Sequence, residues 1–245
     1  MTLLYGDCLE LMPLAVPDGS VDMILCDLPY GTTACKWDTI IPFEPLWAEY
    51  RRVAKPNSAI VLTASQPFTS ALGGSNLRDL QYSWLWDKQH PTGHLNAKKR
   101  PLRIFEDILV FYSKQPVYNP QDLVFNPKKM YNSRSDCARG GDNVTSTVSG
   151  GLKSEPYVQE YSNYPNGIIS IKGCNGNSEH PTQKPVALME YLIKTYTNEG
   201  MTVLDNCMGS GTTGVACKNL NRKFIGIEKD EKYFKIASER IGASQ

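Results

Sequence analysis

The sequence predicts an α/β protein built on an open, mostly parallel sheet with helices on both faces. Three observations carry this. The run VDMILCD (21–27) is too continuously apolar for a strand with one wet face, which makes it central and parallel. Strand patterns alternate with helical ones along the chain. Over residues 201–228 an apolar strand, a glycine-rich turn, a helix and another strand follow one another.

TLLYG (2–6) reads as the first strand, ahead of 21–27. In PFEPLWAEYRRVAKPN, Phe43, Leu46, Trp47, Tyr50, Val53 and Ala54 share a helical face, and Pro56-Asn57 is expected to end the helix. SAIVLTA (58–64), YSWLWD (82–87) and DILVFYS (107–113) are further strands. Residues 114–179 are rich in Asn, Ser, Gly, Tyr and Pro, carry the loop RGGDNVTSTVSGG and show no sustained period, so they read as an inserted, partly ordered module. Regular structure returns at HPTQKPVALMEYLIKTYT. There Pro185 suits a first helical turn, and Val186, Leu188, Met189, Leu192, Ile193 and Tyr196 form a buried stripe. The strand MTVLDN, the turn CMGSGTTG, a helix through Lys218, the strand KFIGIE and a last helix from about Asp230 to Ile241 follow. The domain reading is 1–113 and 180–245 as two halves of one α/β domain, interrupted by 114–179.

A chain of 245 residues can bury a large core and still carry an insertion. Neither end looks like a signal peptide and no apolar run approaches the roughly 20 residues that span a bilayer, so the expectation is a cytoplasmic protein without a membrane partner. Seven cysteines, an odd number without a Cys-x-x-Cys, suggest neither a disulfide framework nor a zinc site, and no metal is expected. The net charge of +1 excludes a uniformly basic coat. From Leu85 to Arg139, however, ten Lys and Arg face five acids, a local +5 that would attract a polyanion.

Gly209-Ser-Gly211-Thr-Thr-Gly214 follows an apolar strand and opens a helix, and Glu228 ends the next strand. This is the pattern of a Rossmann nucleotide site, in which glycines admit the ligand to the backbone and the acid accepts ribose hydroxyls. The turn lacks the Gly-Lys-Ser/Thr of a phosphate-binding loop, which disfavours NTP hydrolysis. A dinucleotide and S-adenosylmethionine remain. Asp205, just before the glycines, would repel a pyrophosphate and suits a sulfonium and an ammonium.

Two signals remain. Asp27-Leu28-Pro29-Tyr30 follows the central strand at the edge where open α/β sheets bind ligands, although an acid there would equally serve a turn. HPTQKP (180–185) enters a helix with His180, Thr182 and Lys184 as donors for a carboxylate.

Together these segments resemble the DNA amino-methyltransferases, which move a methyl from S-adenosylmethionine to an exocyclic base nitrogen. Their catalytic tetrapeptide is Asp/Asn/Ser-Pro-Pro-Tyr/Phe/Trp, here DLPY; their cofactor loop is similar to DNCMGSGTT (205–213); HPTQKP and GDCLELM (6–12) match two further motifs. The order, with the catalytic motif ahead of the cofactor loop, resembles the β-class, a circularly permuted, Rossmann-like methyltransferase fold with an inserted target-recognition region. The resemblance covers roughly 1–112 and 180–241. Leu28 departs from the first proline, a position whose main-chain carbonyl the family uses, and Asn206-Cys207-Met208 departs from Pro-Phe-x, where the phenylalanine often packs beside the cofactor.

The resemblance implies that Asp27, Leu28, Pro29 and Tyr30 are catalytic. It assigns Asp7, Cys8, His180, Thr182, Lys184, Pro185, Asp205, Gly209, Ser210, Gly211, Thr212 and Glu228 to S-adenosylmethionine. The basic segment adds Lys88, Lys98, Lys99, Arg100, Lys128 and Lys129 as contacts for double-stranded DNA. Asp at the first tetrapeptide position resembles adenine-N6 enzymes more than cytosine-N4 enzymes, which often carry Ser. Cytosine-N4 transfer, an RNA or protein-amide methyltransferase, a silent nucleic-acid-binding protein on the same fold and a dinucleotide oxidoreductase are the alternatives. A homodimer and a restriction endonuclease partner are left open.

Overall fold

A computed structural model of the chain describes residues 1–33, 35, 38–125, 161–174 and 183–242, and the backbone of 130–131 and 157–158. In chain order the elements are β1 (Thr2–Tyr5), α1 (Cys8–Ala15), β2 (Val21–Cys26), α2 (Phe43–Val53), β3 (Ala54–Ala64), α3 (Phe68–Ser75), β4 (Leu80–Thr92) and β5 (Arg103–Phe111). Five short strands follow: β6 (Val124–Phe125), β7 (Met130–Tyr131), β8 (Tyr157–Val158), β9 (Tyr161–Ser162) and β10 (Ile168–Ser170). The chain continues with α4 (Val186–Tyr196), β11 (Thr202–Asp205), α5 (Thr212–Asn219), β12 (Lys223–Glu228) and α6 (Glu231–Ile241).

Two compact units result: Met1–Asn119 with Gly167–Gln245, and Pro120–Asn166. The second holds two antiparallel pairs, β6 with β9 and β7 with β8. Phe125 packs on Tyr161 with ring centroids 5.4 Å apart, and the Asn163 amide donates to the Asp122 carbonyl at 2.8 Å. The span read as an insertion, 114–179, is longer than this unit. β10 pairs in parallel with β4, and its three residues are too few to show a period in the sequence.

The first unit is an eight-stranded sheet in the order β1-β12-β11-β2-β3-β5-β4-β10. It is parallel except where β5 runs antiparallel between β3 and β4. Two apolar layers cover it. Met23 and Leu25 of β2 enter one layer with α4, while Ile24 and Cys26 enter the other with α2, as a central strand requires. Leu46, Trp47, Tyr50 and Val53 of α2 are buried.

The helix ends at Val53 and not at Pro56-Asn57. Pro56 pushes Lys55 out of helical geometry, Ala54–Asn57 run extended as the start of β3, and the Lys55 ammonium meets Asp22 at 2.6 Å. α6 packs against β1 and β12, with Phe234 on Tyr5 at 5.5 Å between centroids. No helix of the described residues is long and apolar enough to cross a membrane.

The register gathers the acids. Tyr5 pairs with Glu228 and Asp205 with Gly226, so the residues following β1, β2, β11 and β12 meet at the carboxyl edge of the sheet.

Candidate active site

A cavity of about 570 Å³ opens at that edge, lined by Asp7, Asp27, Tyr30, Lys184, Asp205 and Glu228 among others. One end is built by the glycine turn. Gly209 and Gly211 have φ of +52° and +81°. A Cβ on Gly211 would stand 2.9 Å from the Cβ of Ala237 and 3.0 Å from its Cα, so helix α6 can close on the turn only because residue 211 is glycine. The Gly209 amide donates to one Glu228 oxygen and the Asp230 amide to the other, both at 2.8 Å. Burial raises the Glu228 carboxyl. Asp205, 3% exposed, accepts the Cys207 amide at 3.1 Å, and burial pushes its carboxyl up to about 6. Asp7 caps α1 by accepting the Leu9 amide at 2.9 Å. Ser210 accepts from Arg240 at 2.8 Å and donates to Gln183 of the HPTQKP segment at 3.3 Å; Arg240 was not foreseen, because a helix-borne arginine carries no motif. Thr212 is buried on the same wall.

The departure at 206–208 is compensated locally. The buried Asn206 accepts the Tyr50 hydroxyl at 2.6 Å and points its amide at the sulfurs of Cys8 and Cys207, 3.5 and 3.6 Å away. Met208 fills core. Burial pushes the Cys26 thiol up to about 12, and Cys207 and Cys8 are raised by hydrogen bonds within this sulfur cluster and by burial. All three are therefore thiols at neutral pH and poor nucleophiles.

The other end belongs to DLPY. Cys26 pairs with Leu62, which puts Asp27 beside Thr63 one position on. Asp27 Oδ1 accepts the hydroxyls of Tyr30, at 2.7 Å, and of Thr63, and Oδ2 lies 3.0 Å from Lys184 Nζ. The Tyr30 ring stacks on Phe68, centroids 5.1 Å apart, and burial raises its phenol well above the usual value. The Leu28 side chain, 4% exposed, is core, and Pro29 lines the cavity. Beyond the tetrapeptide, Asp38 accepts the amides of Gly31, Thr32 and Thr33 at 2.7–2.9 Å. Against the cost of burial these bonds hold its carboxyl below the usual range and fix the loop.

Lys184, assigned from sequence to the cofactor, stands with its ammonium between Asp27 and Glu106. Pro185 precedes α4; His180 and Thr182 lie outside the described residues. Of the basic residues, Lys88 is bonded to Glu106 at 3.1 Å, Lys98, Lys99 and Arg100 are exposed in the turn joining β4 to β5, and Lys128 and Lys129 lie outside the described residues. Among the described residues no group of three or more His, Cys, Asp or Glu could hold a metal ion.

The family model for DNA methylases of the N6 and N4 type matches residues 21–239, from the first residue of β2 to the last turn of α6. The chain belongs to the DNA methylase family. This DNA methylase is 31% identical over 237 residues to the type II methyltransferase M.HpaI of Haemophilus parainfluenzae, covering 91% of the chain and 69% of that protein. It is 27% identical to the type II methyltransferase M2.LlaDCHI of Lactococcus lactis subsp. cremoris, covering 98% of the chain and 88% of the relative. Among solved structures it superposes on the M1.HpyAVI–SAM complex with a TM-score of 0.65 and 28% identity over 99% of both chains. The cytosine-N4-specific PvuII DNA methyltransferase shares the fold at a TM-score of 0.65 and 15% identity, covering 97% of this DNA methylase and 85% of that chain.

Proposed function

We propose that the enzyme methylates the exocyclic N6 amine of an adenine flipped out of double-stranded DNA. The observation that carries this reading is Asp27, a carboxylate at the end of a central strand, held by three donors in the cavity that also holds Asp205 and Glu228. An amine conjugated with a base ring is a poor nucleophile and is hidden by pairing, so the base must first leave the stack, at a cost of a few kcal/mol. Tyr30, backed by Phe68, offers its ring to that base, a kind of contact worth about 1–3 kcal/mol. Asp27 accepts one N–H and the Leu28 carbonyl the other, with Pro29 holding the two acceptors in fixed relation. The nitrogen becomes cationic as the methyl arrives and then sheds a proton, and Asp27 stabilises that positive charge.

The methyl donor is S-adenosylmethionine, whose sulfonium supplies the electrophilic methyl. The residues present fit it: Asp205 is a buried acid that a cation would restore to its charged form, and Glu228 keeps lone pairs beyond its two backbone donors for ribose hydroxyls. We also read the chain order as the β-class permutation; β2 precedes β11 and β12 in sequence, and α6 packs on β1, in support of it. Pro120–Asn166 is the proposed target-recognition region, and Lys98, Lys99 and Arg100 the proposed phosphate contacts. That two relatives are named type II methyltransferases supports a place in a restriction–modification pair.

Cytosine-N4 transfer is the second reading, supported by the fold shared with the PvuII enzyme. Incubation with DNA and labelled donor, followed by nucleoside mass spectrometry, tests both. N6-methyladenine is expected; N4-methylcytosine would select the second reading, and unmodified DNA alongside bound donor would overturn both.

Cofactor affinity should also depend on pH. The folded Asp205 carboxyl titrates near 6, above its ordinary 3.8, so its contribution to apo stability is complete below about 3.8 and lost as pH rises through about 6. A cationic ligand binds the ionised form, so affinity should weaken as pH falls below about 6, approaching tenfold per unit. Glu228, also raised by burial, acts in the same direction. Calorimetry between pH 5 and 7.5 reads this, and a flat affinity would remove Asp205 from the cofactor.

A further inference from the structure

A carboxylate has about four lone-pair directions, and three of those on Asp27 are taken, by Tyr30, Thr63 and Lys184. Lys184 is 7% exposed, and an ammonium that deep is costly unless paired and hydrogen-bonded. Asp27 provides one partner at 3.0 Å and Glu106 Oε2 a second at 3.1 Å. Glu106 is delivered by the antiparallel register that pairs Ala64 with Asp107, which sets it just past the end of β3. Its other oxygen takes Lys88 at 3.1 Å. Oε2 is buried and has no aligned hydrogen bond, so the approach of Lys184 is its compensation. Four alternating charges, Asp27, Lys184, Glu106 and Lys88, thus cross the cavity wall and cancel.

We propose that Glu106 and Lys184 are a positioning pair for Asp27: Glu106 fixes the Lys184 ammonium, and the ammonium fixes the carboxylate with one acceptor direction left for the target amine. The pair rests on the amino-methyl-transfer reading given above. Glu106 has an electrostatic task as well. A lone ammonium 3.0 Å from Asp27 would oppose the positive charge that develops on the nitrogen, and the Glu106 carboxylate offsets it. The same contacts leave Lys184 engaged on the acceptor side of the cavity and not with the cofactor's carboxylate.

The test uses Glu106→Gln, Lys184→Met and the double variant, which removes one charge of each sign and so keeps the net charge of the wall at zero if a single variant folds poorly. Single-turnover methyl transfer on DNA at saturating donor should fall about 100-fold in each, with donor Kd within about threefold of wild type. The double variant should be no slower than the slower single one, the mark of residues acting as a unit. A Kd weakened more than about tenfold with the saturated rate kept would make Lys184 a cofactor residue and overturn the proposal, as would losses that multiply in the double variant. A crystal structure of Lys184→Met without nucleic acid reads the pair independently of the reaction. Asp27 should leave its present rotamer, and an unmoved Asp27 would overturn the pair whatever the wild type methylates. Wild-type protein that binds donor but modifies no DNA would instead overturn the functional reading.

Discussion

Asp27→Asn should lower the methyl-transfer rate by roughly 10³-fold while leaving donor affinity within a few-fold of wild type. The change is nearly isosteric, and the amide oxygen can still accept the hydroxyls of Tyr30 and Thr63. The amide nitrogen then faces the Lys184 ammonium, donor against donor, where Oδ2 now meets it at 3.0 Å. Lys184 would retreat toward Glu106, and the charge that stabilises the developing ammonium of the substrate would be gone. Donor binding should survive because Asp205 and Glu228 come from β11 and β12 and do not depend on Asp27 for their hydrogen bonds. Rapid-quench single-turnover measurement with calorimetry separates the two quantities. A rate within tenfold of wild type would remove Asp27 from the chemistry.

Glu228→Ala should have the complementary effect. It strips the acceptor from the Gly209 and Asp230 amides, so the glycine turn loses its anchor to β12 as well as the proposed ribose contact. One buried backbone donor left unsatisfied costs about 1–3 kcal/mol, and with the lost ligand contact donor Kd should weaken on the order of 100-fold, equivalent to about 2.7 kcal/mol. Glu228→Gln keeps one acceptor oxygen and should fall between. The saturated transfer rate should change far less than the affinity; the reverse pattern, or an unchanged Kd, would count against this assignment.

The parts legible in the sequence are those whose physics is local or periodic. β2 was readable because burial on both faces demands unbroken apolar residues, and the turn at Gly209–Gly211 because its positive φ angles and the closeness of α6 demand glycine. α3 was not read, since Phe68–Ser75 is short and Gly73-Gly74 dilutes its pattern. The second carboxylate of the site escaped for a different reason. Glu106 fell just outside the strand read at 107–113 and entered only as one of the five acids counted along 85–139, and only the antiparallel pairing of β3, β5 and β4 brings it to Lys184 and Lys88. Counting charges along 85–139 treated Lys88 as a free cation for phosphate, because composition cannot see a partner that the fold supplies. The motif lysine, Lys184, was found by pattern, but its neighbours could be known only from geometry.

The edge pairing of β1 has a consequence for how the enzyme is made. Among the described residues β1 has a single neighbour in the sheet, β12, and the Gly6 amide donates to the Glu228 carbonyl at 3.0 Å. A nascent chain growing at roughly 5–20 residues per second therefore carries its first strand unpaired for tens of seconds before its partner is synthesised. During that interval the strand is an open edge exposed to aggregation, and the wall that holds Glu228 does not exist. Donor capture becomes available only once β12 has been synthesised and paired with β1, so the ligand can stabilise only the sheet that contains both strands.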